Sequence, residues 1–143
     1  MSLNKGINAG SAGTLEVNRL RRLANELEPC ALLIRHEQVL FAQSQQSAAC
    51  NASHSVEARM CRWLLYMRDL AGSDDLMLTQ EFLAQMLSVR RPSMSIVASP
   101  LQKAGLIKYS RGRIRVLDVK GLQKRACECY GTVKAHYQRL LSS

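Results

Sequence analysis

The chain has 143 residues, of which 47% are hydrophobic and 5% aromatic, and its formal net charge is +9. This length suits one compact domain with an aliphatic core, or one domain with an extension. No run approaches the roughly 18 consecutive apolar residues of a membrane span, and no N-terminal signal pattern is present, so we expect a cytoplasmic protein that does not bind membranes.

The positive charge is concentrated in one part of the chain. Residues 90–125 contain ten bases and a single acid, Asp118, so this segment accounts for the whole net charge. A local excess of this kind indicates a polyanionic partner such as nucleic acid. The ten bases are Arg90, Arg91, Lys103, Lys108, Arg111, Arg113, Arg115, Lys120, Lys124 and Arg125.

Composition and periodicity divide the chain into five segments. Residues 1–13 are small, polar and rich in glycine, which predicts a disordered tail, and residues 14–28 predict a partly helical linker. A long helix is predicted for residues 29–52, which contain no glycine or internal proline. Residues 53–118 then predict a compact domain, and residues 119–143 predict one C-terminal helix.

Two short helices are predicted between residues 79 and 105, the second covering about 91–104. Their apolar residues recur every three or four positions, in two sets that are too close together for one continuous helix to bury both. A turn at Ser88 to Arg90 therefore separates them. This is the pattern of a helix-turn-helix, whose second helix enters the DNA major groove. The two sets are Phe82, Leu83, Met86 and Leu87, then Met94, Val97 and Leu101.

A β-hairpin is predicted directly after the second helix. Ile107 and Tyr109 alternate with Lys108, and Ile114 and Val116 alternate with arginines, around a turn at residues 110–112. One face is thus apolar and the other basic. Such a hairpin beside a helix-turn-helix acts as a wing that contacts DNA.

The order of these elements resembles the CRP/FNR superfamily of bacterial transcriptional regulators over about residues 30–125. The resemblance rests on LTQEFLAQMLSVRRPSMSIV at 78–97 and LQKAGLI at 101–107. It implies a mainly α fold with a small β-hairpin: a winged helix-turn-helix, a long N-terminal dimerisation helix and a C-terminal helix. It also implies a homodimer on an inverted repeat in double-stranded DNA, with RNA polymerase as a further partner.

The sensor half of the family is the main departure from this resemblance. The effector-binding β-roll that precedes the long helix in the family does not fit into the 28 residues before Pro29. The sequence therefore represents either a C-terminal fragment or a relative that has lost its sensor. We expect no cofactor in this chain, and a cyclic nucleotide or other effector only if a β-roll lies upstream.

Arg91 is the strongest site prediction. Its counterpart in the family reads guanine, and a bidentate contact to O6 and N7 contributes roughly 1–3 kcal/mol of discrimination. Ser93, Ser95 and Ile96 are expected to share its exposed helix face and to contact bases. An exposed basic side chain is more often simply solvated, but here the clustering of basic side chains favours contact with DNA. The predicted backbone contacts are Gln80, Arg90, Lys108, Arg111 and Arg113.

Three positions in the predicted helix-turn-helix are unusual for the family. Ser88 stands where relatives often have glycine, and a positive φ there costs on the order of 1 kcal/mol. Pro92 falls in the first turn of the second helix, where its missing N–H is harmless. Pro100 lies mid-helix, at a cost of up to ~3 kcal/mol if the helix stays straight, so we expect a kink or rearrangement between Ile96 and Pro100.

The helix at 29–52 has two interpretations that the sequence leaves equally open. It either packs on its own domain or pairs with the same helix of a second chain, since small residues near its end admit a close neighbour. The predicted dimer seam consists of Leu33, His36, Leu40, Gln43, Ser47 and Cys50.

Neither metal binding nor catalysis is predicted. The five cysteines are odd in number, and Cys127-Glu128-Cys129 has no second pair to complete a zinc site, so we expect reduced, partly buried thiols. The three histidines (His36, His54, His136) are far apart in sequence, and the sequence contains no nucleophile–base pair, paired carboxylates or phosphate loop. The alternative to a regulator is a winged helix that binds a protein through residues 119–140 or 30–50, without operator specificity.

Overall fold

A computed structural model describes residues 13–141, so the predicted tail lies, except for Gly13, outside the described residues. Seven helices and three short strands make up the described part, which confirms the mainly helical class. The elements are α1 (Val17–Leu23), α2 (Leu27–Ser53), α3 (Val56–Ala71), β1 (Asp75–Leu76), α4 (Gln80–Met86), α5 (Arg91–Lys103), β2 (Ile107–Ser110), β3 (Arg113–Val116), α6 (Val119–Arg125) and α7 (Cys129–Leu141).

Helix α3 lies at the centre of the core. It begins at Ser55, whose hydroxyl accepts a hydrogen bond from the Ala58 N–H at 3.2 Å, and it ends at Gly72 with a left-handed φ of 60°. Met60 and Leu64 on its inner face are fully buried. Helices α4, α5 and α6 and the sheet pack around this face, because each contributes one apolar side to the same cluster.

The sheet has three antiparallel strands in the order β1-β3-β2. A two-residue turn at Arg111 and Gly112, both with positive φ, joins β2 to β3, as expected for a tight hairpin. The predicted alternation is confirmed, with Ile114 and Val116 buried. Strand β1 pairs its Asp75 with Arg115 of β3.

The prediction of one C-terminal helix over 119–143 is wrong. Asp118 does cap a helix, since its carboxylate accepts from the Gly121 N–H at 2.9 Å, but α6 ends at Arg125 and Ala126 is extended. After this break α7 runs back along α2. The break allows Cys129 and Val133 to be buried against α2, which one straight helix would not permit.

Helix α2 is 27 residues long, and its two halves have different surroundings. From Val39 onward one side of α2 is covered by α7, with Val39 and Cys50 buried. Large apolar side chains from Leu32 to Phe41 are exposed to solvent. No helix within residues 13–141 combines the length and apolar character needed to cross a membrane. The exposed apolar residues of α2 are Leu32, Leu33, Ile34, Leu40 and Phe41.

Candidate nucleic-acid interface

The turn between α4 and α5 has the geometry predicted for a helix-turn-helix. Thr79 caps α4 by accepting from the Phe82 N–H at 3.1 Å. Ser88 has a φ of 53°, which is the positive φ at which serine is less favourable than glycine. The Val89 N–H then bonds the Ala84 carbonyl at 2.9 Å, which closes the turn and sets the direction of α5.

Helix α5 buries one face and presents the other to solvent. Met94 and Leu101 enter the core, whereas Ser95 is exposed and Ile96 is 74% exposed. Ser93, predicted from the sequence to share this exposed face, is half-buried and less accessible than Ser95 and Ile96. Ser95 and Ile96 therefore remain the most accessible of these three side chains to a ligand outside the domain.

The two prolines of α5 have different effects on its hydrogen bonding. Pro92 is the second residue of the helix, within the first turn as predicted, where its missing N–H costs nothing. Pro100 lies inside the helix, yet α5 is continuous from Arg91 to Lys103. The helix therefore does not end at Pro100, and the expected kink or rearrangement between Ile96 and Pro100 stays a prediction. Ile96 and Pro100 are both exposed, so water can bond the Ile96 carbonyl that Pro100 leaves without a helical donor.

An open groove lies between the start of α4, the start of α5 and the hairpin turn. Arg91 is exposed at the first position of α5 and lines this groove. Burial raises the pKa of Tyr109 in the same groove, and a hydrogen bond from the Gln80 backbone and the charge of Arg91 partly offset this rise. The positively charged guanidinium of Arg91 therefore lies near the uncharged phenol of Tyr109. The lining residues are Thr79, Gln80, Glu81, Arg91, Tyr109, Arg111 and Gly112.

Most basic residues of the segment 90–125 have no acidic partner. Arg115 donates two hydrogen bonds to the Asp75 carboxylate at 2.7 and 2.8 Å and thereby lowers the pKa of that carboxyl, and Arg125 pairs with Glu57 at 2.9 Å. Within the described part of the chain, the other eight form no ion pair. They are Arg90, Arg91, Lys103, Lys108, Arg111, Arg113, Lys120 and Lys124.

The predicted dimer seam divides between two sides of α2. Leu33, His36 and Leu40 are exposed. The other members face the same chain: the Gln43 amide hydrogen-bonds the Tyr66 hydroxyl, Arg62 donates to Ser47 at 3.5 Å, and Cys50 is fully buried with its sulfur 3.5 Å from that of Cys127. Cys50 is therefore removed from the residues that a second chain is able to contact.

A cluster of cysteines and a histidine was not predicted from the sequence. Cys50, His54, Cys127 and Cys129 place their sulfur and imidazole nitrogen atoms within 4.8 Å of one another. Their distance along the chain counted against a shared site, but the helix break brings the C-x-C segment onto the end of α2. Burial, with a further contribution from the Cys50 thiol, raises the pKa of Cys127 to about 12. The available sequence signal was Cys50-x-x-x-His54, one helical turn.

Comparison with known proteins supports the same fold. Residues 58–125 match the sequence model of the Crp-like helix-turn-helix domain family. Three solved structures share the fold: a protein of the CRP/FNR family from Eubacterium rectale (24% identity, TM-score 0.58, 76% of this chain and 50% of that chain), a CRP-family transcriptional regulator from Thermus thermophilus (24%, 0.58, 78% and 55%), and FixK2 from Bradyrhizobium japonicum (14%, 0.70, 77% and 58%).

The three solved structures are longer than this chain. The chain spans between 50% and 58% of the length of the three solved structures. No curated protein sequence matches it. The comparisons confirm the predicted resemblance to the helix-turn-helix part of CRP/FNR regulators, while the activity of the longer proteins is not carried over by the fold alone.

Proposed function

We propose that this chain, whose residues 58–125 match the Crp-like helix-turn-helix domain family, is a sequence-specific DNA-binding transcriptional regulator. The observation that carries this proposal is the unneutralised basic surface formed by the start of α5 and the β2–β3 hairpin. Exposed cations without acidic partners attract phosphate over a distance and release counterions when it binds. In this arrangement α5 enters the major groove and the hairpin lies on the backbone.

Arg91 is the residue proposed to read the sequence. It stands at the first position of α5, exposed and free of ion pairs within the described residues, so its guanidinium can pair with guanine O6 and N7. Ser95 and Ile96 extend the same exposed face, and the isoleucine suits a thymine methyl. The proposed phosphate contacts are Gln80, Arg90, Lys108, Arg111 and Arg113.

Binding as a dimer is proposed from the exposed half of α2. Leu33 and Leu40 are seven residues apart, as are Ile34 and Phe41, so these four side chains lie along one side of the helix. Each is between 42% and 66% exposed in the single chain. Pairing this stripe with its counterpart on a second copy would bury it and place two α5 helices on an inverted repeat, with half-sites about one helical turn apart.

The protein-binding alternative loses one of its two predicted surfaces. It required an apolar face along residues 119–140, but Leu122, Cys129 and Val133 of that face are buried within the chain. The exposed stripe on α2 remains, and it serves the regulator equally well as a dimer contact.

Selection from a randomised duplex pool at low salt tests the DNA proposal. We expect an enriched palindrome, and the absence of any enriched sequence would sink the idea. Arg91→Ala is expected to lower affinity for the selected site by roughly 1–3 kcal/mol and to relax preference at one base pair of each half-site. Arg90→Ala is the matched control, because loss of a phosphate contact weakens binding to all sequences alike.

Sedimentation of the free protein tests the dimer proposal separately. The chain has a mass of 16.0 kDa, so a dimer sediments at twice that value. Leu40→Glu is expected to give a monomer, because two carboxylates would be buried at the contact. Gln38→Glu, which adds the same charge at an exposed polar position of α2, should leave the dimer intact. A Leu40→Glu protein that stays dimeric would move the contact elsewhere.

A further inference from the structure

Four side chains with metal-binding atoms meet where the end of α2 contacts the start of α7. Cys50 lies in the last turn of α2 and His54 immediately follows that helix. Cys127 lies in the break between α6 and α7, and Cys129 begins α7. Their ligand atoms all lie within 4.8 Å of one another. None of the four belongs to the proposed DNA-binding surface.

Two distances within this cluster match those between ligands of one tetrahedral ion. The sulfurs of Cys50 and Cys127 are 3.5 Å apart, and the Cys129 sulfur lies 3.8 Å from Nδ1 of His54. A tetrahedral zinc ion, with Zn–S of about 2.3 Å and Zn–N of about 2.0–2.1 Å, separates its ligand atoms by roughly 3.5–3.8 Å. A disulfide requires about 2.05 Å, and all five cysteines are free.

We propose that Cys50, His54, Cys127 and Cys129 bind one structural zinc ion through three thiolates and an imidazole. Thiolate and imidazole ligands in tetrahedral positions favour zinc among the divalent metals available to a protein. Four protein ligands leave no open position for water, which distinguishes a structural site from a catalytic one. The ligands of an iron–sulfur cluster sit on different irons and are spaced more widely than these.

Two neighbouring side chains hold the ligands as an outer shell. Nε2 of His54 lies 3.0 Å from the Glu128 carboxylate, so a proton on Nε2 is donated to Glu128 and leaves the lone pair of Nδ1 directed at the sulfurs. The amide of Gln46 donates to the Cys129 sulfur at 3.0 Å. A carboxylate behind a ligating histidine fixes its tautomer and raises its basicity.

Charge and burial fit an ion at this position. Zinc with three thiolates has a net charge of −1, and three of its ligands are buried: Cys50 fully, Cys129 at 2% exposure and Cys127 at 7%. Two buried arginines, Arg59 and Arg62, donate to residues of α2 on either side of Cys50. Within residues 13–141, no carboxylate forms an ion pair with either arginine, so their charge is available to balance the site.

The side chain of His54 is 23% exposed, which gives an ion access from solvent. Once bound, the ion would join α7 to the end of α2. The link would fix how α2 projects from the helix-turn-helix domain, since Arg59 also connects Asn51, next to Cys50, to the Leu87 carbonyl at the end of α4.

Zinc content of the purified full chain, prepared under reducing conditions, tests the proposal. We expect about one zinc per chain in the wild type and in Cys30→Ser, a matched control in which a half-buried cysteine of α2 outside the cluster is changed. Cys129→Ser should retain less than about a fifth of that amount. Zinc bound equally well by Cys129→Ser, or no zinc in the wild type after incubation with the ion, would overturn the assignment.

A second measurement keeps the proposal testable if Cys129→Ser fails to fold. Titration of the metal-free wild type with Co²⁺ should give thiolate-to-cobalt absorption and tetrahedral ligand-field bands that saturate at one equivalent. Glu128→Gln, which keeps all four ligands, should weaken zinc binding by about 10–100-fold. Iron with acid-labile sulfide in the native protein, or a Cys50–Cys127 disulfide in a metal-free native protein, would contradict the zinc site.

Discussion

The DNA-facing surface and the junction between α2 and α7 are built on opposite principles. Arg91, Ile96 and the hairpin arginines are exposed, and they come from one contiguous stretch of chain. The junction is buried, and Cys50 and Cys127, whose sulfur atoms are 3.5 Å apart there, are separated by 77 positions in the sequence. The DNA-facing surface presents positive charge to solvent. The junction holds sulfur and imidazole nitrogen atoms largely away from solvent.

The two regions differ in whether water is able to solvate their unpaired groups. Unpaired cations at a surface are solvated, so eight bases without acidic partners cost the free domain little. Buried sulfur atoms and buried guanidinium groups are not solvated in this way; the Nε atoms of Arg59 and Arg62 have no hydrogen-bond partner within the described residues. We therefore expect the DNA-facing surface to bind reversibly and the junction to hold its ion throughout the life of the folded chain.

Zinc removal should produce the largest effect, and it should change amide hydrogen exchange at the junction but not in the DNA-facing region. Because the proposed ion links α7 to α2, its removal by a chelator is expected to accelerate amide hydrogen exchange in α7 and the last turns of α2 by about tenfold or more. Amides of α5, whose Met94 and Leu101 are buried in the main core, should keep their protection. Exchange followed by mass spectrometry measures both regions in one sample.

Cys30→Ser with and without chelator is the control for this experiment, since it should behave as the wild type does. Equal acceleration in α5 and α7 would show that the domain unfolds as one unit. In that case the hydrogen bonds of Arg59 to Asn51 and Leu87 would be the first contacts to examine, because they connect the two regions.

The same contrast explains what was predictable. Local periodicity located α4, α5 and the hairpin, because Met94 and Leu101, or Ile114 and Val116, repeat within a few residues. The cluster of cysteines and a histidine was missed because its assembly depends on a helix break at Ala126 that periodicity did not reveal. Helical spacing continues from Leu122 to Cys129, and only the burial of Cys129 and Val133 against α2 shows why the chain turns.

The two regions also differ in backbone hydrogen bonding, because the DNA-facing region contains a proline inside a helix. Pro100 removes one hydrogen bond from the interior of α5 on its exposed side, so Pro100→Ala is expected to raise the free energy of unfolding by about 1–3 kcal/mol. Urea denaturation of the zinc-loaded chain measures this value. Pro92→Ala, the same change in the first turn of the same helix, should bring no gain, because no helical bond is missing there.

Zinc content should not change in Pro100→Ala, since the substitution lies outside the junction. A Pro100→Ala protein no more stable than the wild type would mean that water already replaces the missing donor at no net cost.

Paired and unpaired arginines of β3 give a finer test of the exposed surface. Arg113 has no ion pair within the described residues, whereas Arg115 is held by Asp75. Arg113→Ala should lower the slope of log affinity against log salt by about one, the value for one lost phosphate contact. Arg115→Ala changes the net charge equally but should leave the slope unaltered. Equal changes in both variants would mean that overall charge, and not contact, governs binding.

Ser88 gives the smallest expected effect and the narrowest test of local backbone cost. Its φ of 53° lies in the left-handed region, where a serine Cβ crowds the backbone and glycine does not. Part of the gain from Ser88→Gly is lost, because glycine also adds entropy to the unfolded chain. The net result expected in urea denaturation is a stabilisation of roughly 0.5–1 kcal/mol.

Ser95→Gly in the helical backbone of α5 is the matched control, and the same chemical change should there destabilise by roughly 0.5–1 kcal/mol. Opposite signs at the two serines would show that backbone conformation, and not the lost hydroxyl, determines the result. If both variants were destabilised, the Ser88 conformation would be supported by contacts of its side chain, and the turn would not be a site of strain.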